Sequence, residues 1–410
     1  MIITPLRKKW KSSMSDRERF NRQMNYQSFD RCFNTEMGYW EENYNEWDIF
    51  TSRRITNAAQ ARALFSFDRI RTIGMYSHLV PRIEEKEIEI KNGKRIIINN
   101  DGLLAEVPLT GSSIPHFLKS SITTPDDWKK IKAEHFDLNH PGRIINIEAV
   151  KRKLAESYIT ALQSQFSPPD DTGTFERVVD LYNIADTGSV VPAESERDYP
   201  LGIYCGSMIG KVRDMLTVEG LAYALYDYPE MVEDMVETLC QCTENALDQL
   251  LPRFEFDFAS GWEDICFNHG PLVSLDFFKN AVVPRYKRIR KKLDAHNIKL
   301  WYTDCDGDLR PIIPLLLEGG INCLYPFEVK SCVHPGEILD EYGKDLCIMG
   351  GVDKMKLAEG PGAIKAYLES LEKYVARGGF IPFCDHYCPP NVTPQNYLYY
   401  LDLKERMFGN

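Results

Sequence analysis

A chain of 410 residues can bury roughly three quarters of its unfolded surface, so neither disulfides nor a structural metal is needed to hold it folded. Hydrophobic residues at 43% and charged residues at 27% give ordinary globular composition and exclude wholesale disorder. The 60 acidic residues outnumber 49 basic ones, leaving a net charge of −11 that excludes a surface built for phosphate backbones, so nucleic acid is not an expected partner.

The 11 cysteines, scattered from Cys32 to Cys388, suit reduced thiols in a cytoplasmic protein better than a disulfide framework. The basic N-terminus lacks the apolar core of a signal peptide, and no stretch approaches about 18 uninterrupted apolar residues, so no membrane span is expected.

In chain order, Ser15 with Glu18 three residues on reads as a capping box that opens a short helix through Phe20 and Met24, after a loose tail. Residues 31–37 fit a first strand ending at Glu36, and a second begins at Ile70 and runs to Met75. Between about 80 and 125, apolar and polar residues alternate around Asn92-Gly93, the signature of a hairpin turn, so this stretch reads as an antiparallel insertion.

From about residue 200 a repeating pattern of strand, polar strand end and helix emerges. Leu201–Cys205 reads as a buried strand, and Pro229–Leu250 as an amphipathic helix. The alternating Phe254, Phe256 and Phe258 lead to Gly261-Trp262-Glu263-Asp264. Strands at Ile298–Thr303, Asn322–Phe327, Leu346–Met349 and Phe380–Phe383 are followed by Asp304-Cys305-Asp306, Glu328, Gly350-Gly351-Val352-Asp353 and Cys384-Asp385-His386. Helices follow around Ile312–Leu317 and Pro335–Tyr342, then a long one to Val375 and a last one opened by Thr393-Pro394.

Eight strands beginning near 32, 70, 201, 254, 298, 322, 346 and 380, alternating with helices, predict an α/β fold, a (β/α)8 TIM barrel with an N-terminal helical extension and a β-hairpin insertion. The expected division is residues 1–30 as tail and helix and residues 31–410 as one barrel, with the insertion at about 80–125. No Gly-x-Gly-x-x-Gly follows any strand, which argues against a nucleotide-binding open sheet.

In a barrel, side chains directly after the strands converge at one mouth. Glu36, Glu263, Asp264, Asp304, Asp306, Asp308, Glu328, Asp353, Asp385 and His386, with Cys205, Cys305 and Cys384, are therefore expected around a common pocket. Carboxylates crowded together repel unless a proton, a cationic side chain or a metal shares the charge. Asp304, Asp306, Cys384 and His386 offer oxygen, sulfur and nitrogen donors for zinc or another divalent metal; capping of helix N-termini is the bland alternative. Glu263, Glu328 and Asp353 are the candidate acid–base residues, with a carboxylate bonded to a neighbouring strand end as the alternative for Glu263 and Glu328. Glu36, Cys205, Tyr302 and Gly351 are the candidate substrate contacts. His269 and His334 read as loop or cap residues, and the basic run Arg285–Lys292 as a solvated helix face.

These motifs, in this order, resemble the uroporphyrinogen decarboxylase superfamily, which includes the decarboxylase of haem synthesis and corrinoid-linked methyltransferases. The resemblance runs from Asp16-Arg17-Glu18-Arg19-Phe20 and Phe29-Asp30-Arg31 to Asp385-His386 and is densest over residues 217–403. It is nearest to a divergent branch marked by Tyr325-Pro326-Phe327-Glu328-Val329, Gly350-Gly351-Val352-Asp353-Lys354 and Pro389-Pro390-Asn391-Val392. Where the decarboxylases resemble one another in an Arg-Gln-Ala-Gly-Arg segment, this chain has Thr35-Glu36-Met37-Gly38-Tyr39-Trp40, whose glutamate would repel an octa-anionic porphyrinogen. Where the methyltransferases share His-x-Cys-Gly and a later cysteine as zinc ligands, it has Asp304-Cys305-Asp306-Gly307 and Cys384.

The resemblance implies a metal-assisted methyltransferase that moves a methyl group between a small neutral or cationic molecule and a corrinoid. The corrinoid would be supplied by a partner protein, since no Asp-x-His-x-x-Gly segment is present. A decarboxylase acting on a porphyrinogen or another small carboxylic acid is the alternative, and a non-catalytic tetrapyrrole- or corrinoid-binding barrel the second. A homodimer is one candidate assembly; the sequence itself does not fix the oligomeric state.

Overall fold

The computed structural model describes residues 3–74, 78–109, 115–155, 177–182 and 197–409. Its centre is an eight-stranded sheet in the order β14-β13-β12-β11-β8-β7-β1-β6. Here β1 is Ile70–Gly74, β6 Arg177–Tyr182, β7 Leu201–Tyr204, β8 Phe258–Trp262, β11 Leu300–Asp304, β12 Cys323–Phe327, β13 Cys347–Val352 and β14 Phe380–Cys384. The seven strands from β14 to β1 are mutually parallel, and β6 joins β1 antiparallel at the edge. Parallel neighbours need long crossovers, and helices such as Pro229–Leu250, Val283–Ala295, Pro335–Tyr342 and Pro361–Arg377 supply them.

The parallel sheet is curled. Laid flat, β1 and β14 would stand about 29 Å apart at the usual interstrand spacing. Instead Ile70 of β1 and Ile381 and Phe383 of β14 share one buried cluster with Phe258, Leu300, Tyr302, Cys323, Tyr325, Cys347 and Met349. Side chains alternate across each strand, so these residues define the inward face, while Trp301, Leu324, Ile348 and Phe380 join the larger core beneath the helices. From the helix Asp16–Met24, Phe20 and Met24 enter the inner cluster. Phe20 packs 5.3 Å from Phe33 and 5.3 Å from Phe258, centroid to centroid.

Seven of the eight expected strands are present, with starts displaced by up to four residues; Phe254 and Phe256 precede β8, and Met75 lies outside the described residues. The first expected strand, residues 31–37, is not a ladder strand: the extended segment makes one parallel bridge, Tyr39 to Cys388. Side chains occupy the backbone groups that a ladder would use. The Phe33 amide donates to Gln23 Oε1 at 2.7 Å, the Asn34 amide to Asp68 at 2.9 Å, and Lys404 Nζ donates to the Thr35 carbonyl at 2.9 Å. The segment still contributes Phe33 to the inner cluster and so fills the space between β14 and β1. Strand β6 has no counterpart in the sequence reading.

The insertion is a four-stranded antiparallel sheet of β2 (Lys86–Lys91), β3 (Lys94–Ile98), β4 (Leu104–Pro108) and β5 (His116–Lys119). Asn92 and Gly93 both adopt positive φ, 52° and 74°, as a tight two-residue hairpin requires. The long helix expected after Asp353 is two helices, Lys354–Glu359 and Pro361–Arg377, parted at Gly360 where φ is 112°. The basic run is less solvated than expected: Arg285 pairs with Glu233 and Glu237, Arg288 with Glu237 and Glu244, and Lys292 with Asp248, all on the Pro229–Leu250 helix. Among the described residues no helix is long and apolar enough to cross a membrane.

Asp68, fully buried just before β1, receives Arg31 Nη1 and Nη2 at 2.6 and 2.8 Å as well as the Asn34 amide. Removing it strands a buried guanidinium. Asp68→Ala is expected to lower the unfolding free energy in urea by about 3–5 kcal/mol; a loss below about 1 kcal/mol would show that the seam contributes little.

Candidate functional site

Strand parity decides which strand-end residues reach the mouth. On β11, Leu300 and Tyr302 are inward, which places Asp304 inward above them. On β8, Phe258 is inward, so Trp262 follows it and Glu263 turns outward. On β14, Ile381 and Phe383 are inward while Phe380 and Cys384 lie in the outer core.

The mouth therefore assembles from three strand ends. Asp304 is half-buried, and no donor among the described residues bonds its carboxylate. Burial and the neighbouring Asp306 and Asp264 carboxylates push its pKa well above the ordinary 3.8. Asp306 sets Oδ2 at 3.4 Å from His386 Nε2, and its Oδ1 is buried without a donor. For His386, burial alone would lower the pKa, but the contact with Asp306 outweighs it and the net shift is upward, favouring the imidazolium. The Asp264 carboxyl is raised by burial and by Asp306. Tyr302 lies below Asp304, its ring 5.8 Å from Phe258 and 4.8 Å from Tyr325, and forms part of the aromatic floor.

Asp385 locks the ends of the last three strands. Fully buried, it accepts the amides of Val329 at 2.9 Å and Lys354 at 3.0 Å. Burial outweighs these bonds and the Lys354 charge, pushing its carboxyl up to about 6. Glu328 reaches the same rim but is engaged by Lys354 Nζ and by Ser331 Oγ at 2.9 Å. Asp353 caps the Lys354–Glu359 helix by accepting the Met355 amide at 2.8 Å. Gly351 is on the inward register of β13, with its carbonyl accepting from Tyr367 Oη. Its neighbour Gly350 must lack a side chain, because a Cβ there would stand 2.7 Å from the Phe327 amide nitrogen.

Three expected residues lie elsewhere. Glu263 is buried on the helix side of the sheet, accepting the amides of Met208 at 2.8 Å and Gly210 at 2.7 Å, with Ser207 Oγ and Tyr286 Oη completing its shell. Burial raises its pKa against these bonds, and it anchors the start of the Ile209–Leu216 helix with its oxygens committed to that shell. Glu36 is sealed in with Lys404 Nζ at 2.8 Å, Tyr400 Oη at 2.7 Å and the Cys384 amide at 3.1 Å. Cys205 belongs to the outer core with Leu201 and Ile203, where burial raises its thiol pKa.

Of the four expected metal ligands, Asp306 meets His386 and neighbours Asp304, whereas Cys384 is turned away from them. Cys384 faces the outer core and bonds the Cys388 thiol, which with burial raises its own pKa well above the usual thiol range. Among the described residues no three His, Cys, Asp or Glu side chains are grouped to hold a metal ion. With Cys384 in the outer core, the four-ligand zinc site that the sequence suggested is not assembled among the described residues.

Sequence reasoning placed Asp264 at the mouth without a role and missed Arg213. The Arg213 guanidinium lies 5.0 Å from the inward Trp262 ring and donates to the Asp264 carbonyl and to Asp214. Period-2 counting from Phe258 signals Trp262; nothing local signals Arg213. His334 is a cap, with Nδ1 accepting the Gly336 amide.

No family model matches this chain, and no curated protein matches it. Among solved structures, a methyltransferase from Methanosarcina mazei is similar at 14% identity, over 69% of this chain and 86% of that one, with a TM-score of 0.40.

Elemental analysis of the purified protein is expected to find zinc well below one ion per chain, and a chelator should leave the melting temperature unmoved. Stoichiometric zinc lost together with stability would contradict the placement of Cys384. Glu263→Ala is expected to cost on the order of 3 kcal/mol in chemical denaturation, because two buried amides lose their acceptor.

Proposed function

We propose that this chain is a uroporphyrinogen decarboxylase-like (β/α)8 barrel enzyme, in which residues 31–37 stand in for one ladder strand. It transfers a methyl group between a small neutral or cationic substrate and a corrinoid carried by a partner protein. The observation that carries the reading is Asp304, an inward carboxyl at the mouth whose surroundings favour its protonated form. The motif resemblance supplies the reaction class. The acidity of Asp264, Asp304 and Asp306 disfavours an anionic substrate.

Breaking the methyl–heteroatom bond of a neutral donor such as a methyl ether leaves the electron pair and a negative charge on the heteroatom, which takes up a proton, whereas a cationic donor leaves as a neutral molecule and needs none. Asp304 donates that proton, and the His386–Asp306 pair returns one to it from solvent. The corrinoid, when bound, supplies the nucleophile that accepts the methyl group. The aromatic floor of Tyr302 and Tyr325 keeps water from beneath the reacting atoms.

Asp304→Asn keeps the shape and removes the proton. In a methyl-donor screen with reduced corrinoid it is expected to lose about 100-fold or more in turnover. Its stability should also change with pH. A carboxyl whose folded pKa is raised contributes stability that is fully present below 3.8 and is lost as pH rises through the folded value. The asparagine variant should therefore lose less stability than the native protein between about pH 4 and pH 8. Release of carbon dioxide from a small acid by the native enzyme, with no methyl transfer, would replace this reading with decarboxylation; tetrapyrrole binding without turnover would replace it with a binding role.

A further inference from the structure

We propose that Asp264 is the positioning residue of this mouth, holding Asp306 against His386; the inference rests on the proton-transfer reading above and extends it to a residue that touches no substrate. Among the bonds that join the segment after β8 to the end of β11 and the segment after it, two lie at the mouth. The Glu263 amide donates to the Asp304 carbonyl at 2.8 Å, and the Asp306 amide donates to Asp264 Oδ1 at 3.1 Å. The first continues the ladder between the strands. The second depends on a side chain, and it fixes the backbone of Asp306, which faces His386.

Asp264 does this from an unfavourable conformation. Its φ is 52°, in the left-handed region where glycine is unstrained and a residue with a Cβ is not. Gly307, three residues beyond Asp304 in the facing loop, takes φ 94° with no side chain at all. Glycine would adopt this φ with less strain, while the aspartate adds the carboxylate that accepts the Asp306 amide. The conformation is held from behind, because Arg213 donates to the Asp264 carbonyl while stacked over Trp262. Trp262, Arg213, Asp264, Asp306 and His386 thereby form one line of contacts from β8 across the end of β11 to the end of β14.

Two substitutions separate the backbone from the acceptor. Asp264→Gly relieves the left-handed residue and deletes the acceptor, whereas Asp264→Asn tolerates the conformation and keeps an acceptor oxygen. The glycine variant is expected to melt at or above the native temperature. In its crystal structure the Asp306–His386 separation should open beyond about 4 Å, the limit of an ion pair. Its methyl-transfer turnover should fall by about 100-fold, as displaced catalytic groups do. The asparagine variant should keep Asp306 and His386 within ion-pair distance. A glycine variant that keeps the pair closed would overturn the role of Asp264. If the separations behave as expected but the native protein turns over no methyl donor, the positioning stands and the reaction assignment falls.

Discussion

The two ends of the parallel sheet are brought together by buried side chains rather than by a complete ladder, and the mouth depends on that closure. Gln23 is the central tie: its Nε2 donates to the Phe380 carbonyl of β14 at 2.7 Å, while its Oε1 accepts the Phe33 amide. Asp68 joins the other side of the same segment to β1, and Glu36 with Lys404 joins its far end to β14 and the last helix. All four side chains are buried, so each bond forms where an unpaired group would carry a full desolvation cost. A ladder strand would satisfy its backbone with identical repeated bonds. This segment does so with one specific side chain after another, which fixes its register.

That seam explains what could and could not be read from the chain. Strands β7, β8 and β11 to β14 announce themselves as short apolar runs, all but β7 before acidic loops, and their starts lie within four residues of those read from the sequence. Residues 31–37 carry the same composition, and nothing local reveals that Gln23, Asp68 and Lys404 will take their hydrogen bonds, since those partners lie up to 369 positions away. Among the site residues, the legible feature was that polar groups follow strands. Their direction was less legible, because a displacement of one residue in a strand's boundary exchanges its faces. Counting from Phe258, Leu300 and Ile381 sends Asp304 inward and Glu263 and Cys384 outward, but those anchors are known to be inward only once the inner cluster is seen.

The two faces then impose different chemistry on similar residues. Glu263 and Asp304 are both acids whose burial raises their pKa. Glu263 is enclosed by two amides and two hydroxyls, so its oxygens are committed to the fold. Asp304 has no donor among the described residues and faces two further carboxylates, so its preferred way of relieving repulsion is to hold a proton. A raised pKa alone does not distinguish an anchor from an acid; the hydrogen-bond shell does.

The same distinction orders the rest of the rim. Asp353, Asp385 and Glu328 are strand-end acids like Asp304, yet each is spent on a helix cap, a loop tie or an ion pair with Lys354. Their commitment makes the rim rigid, because three consecutive strand ends are bound to one another through Asp385. His386 is the next residue in the chain, and it projects from this fixed backbone toward Asp306. Rigid support beneath Asp304 and Asp306 keeps their carboxylates from relaxing toward other donors. The acids bound into the rim are therefore the ones whose commitment leaves Asp304 without a donor among the described residues.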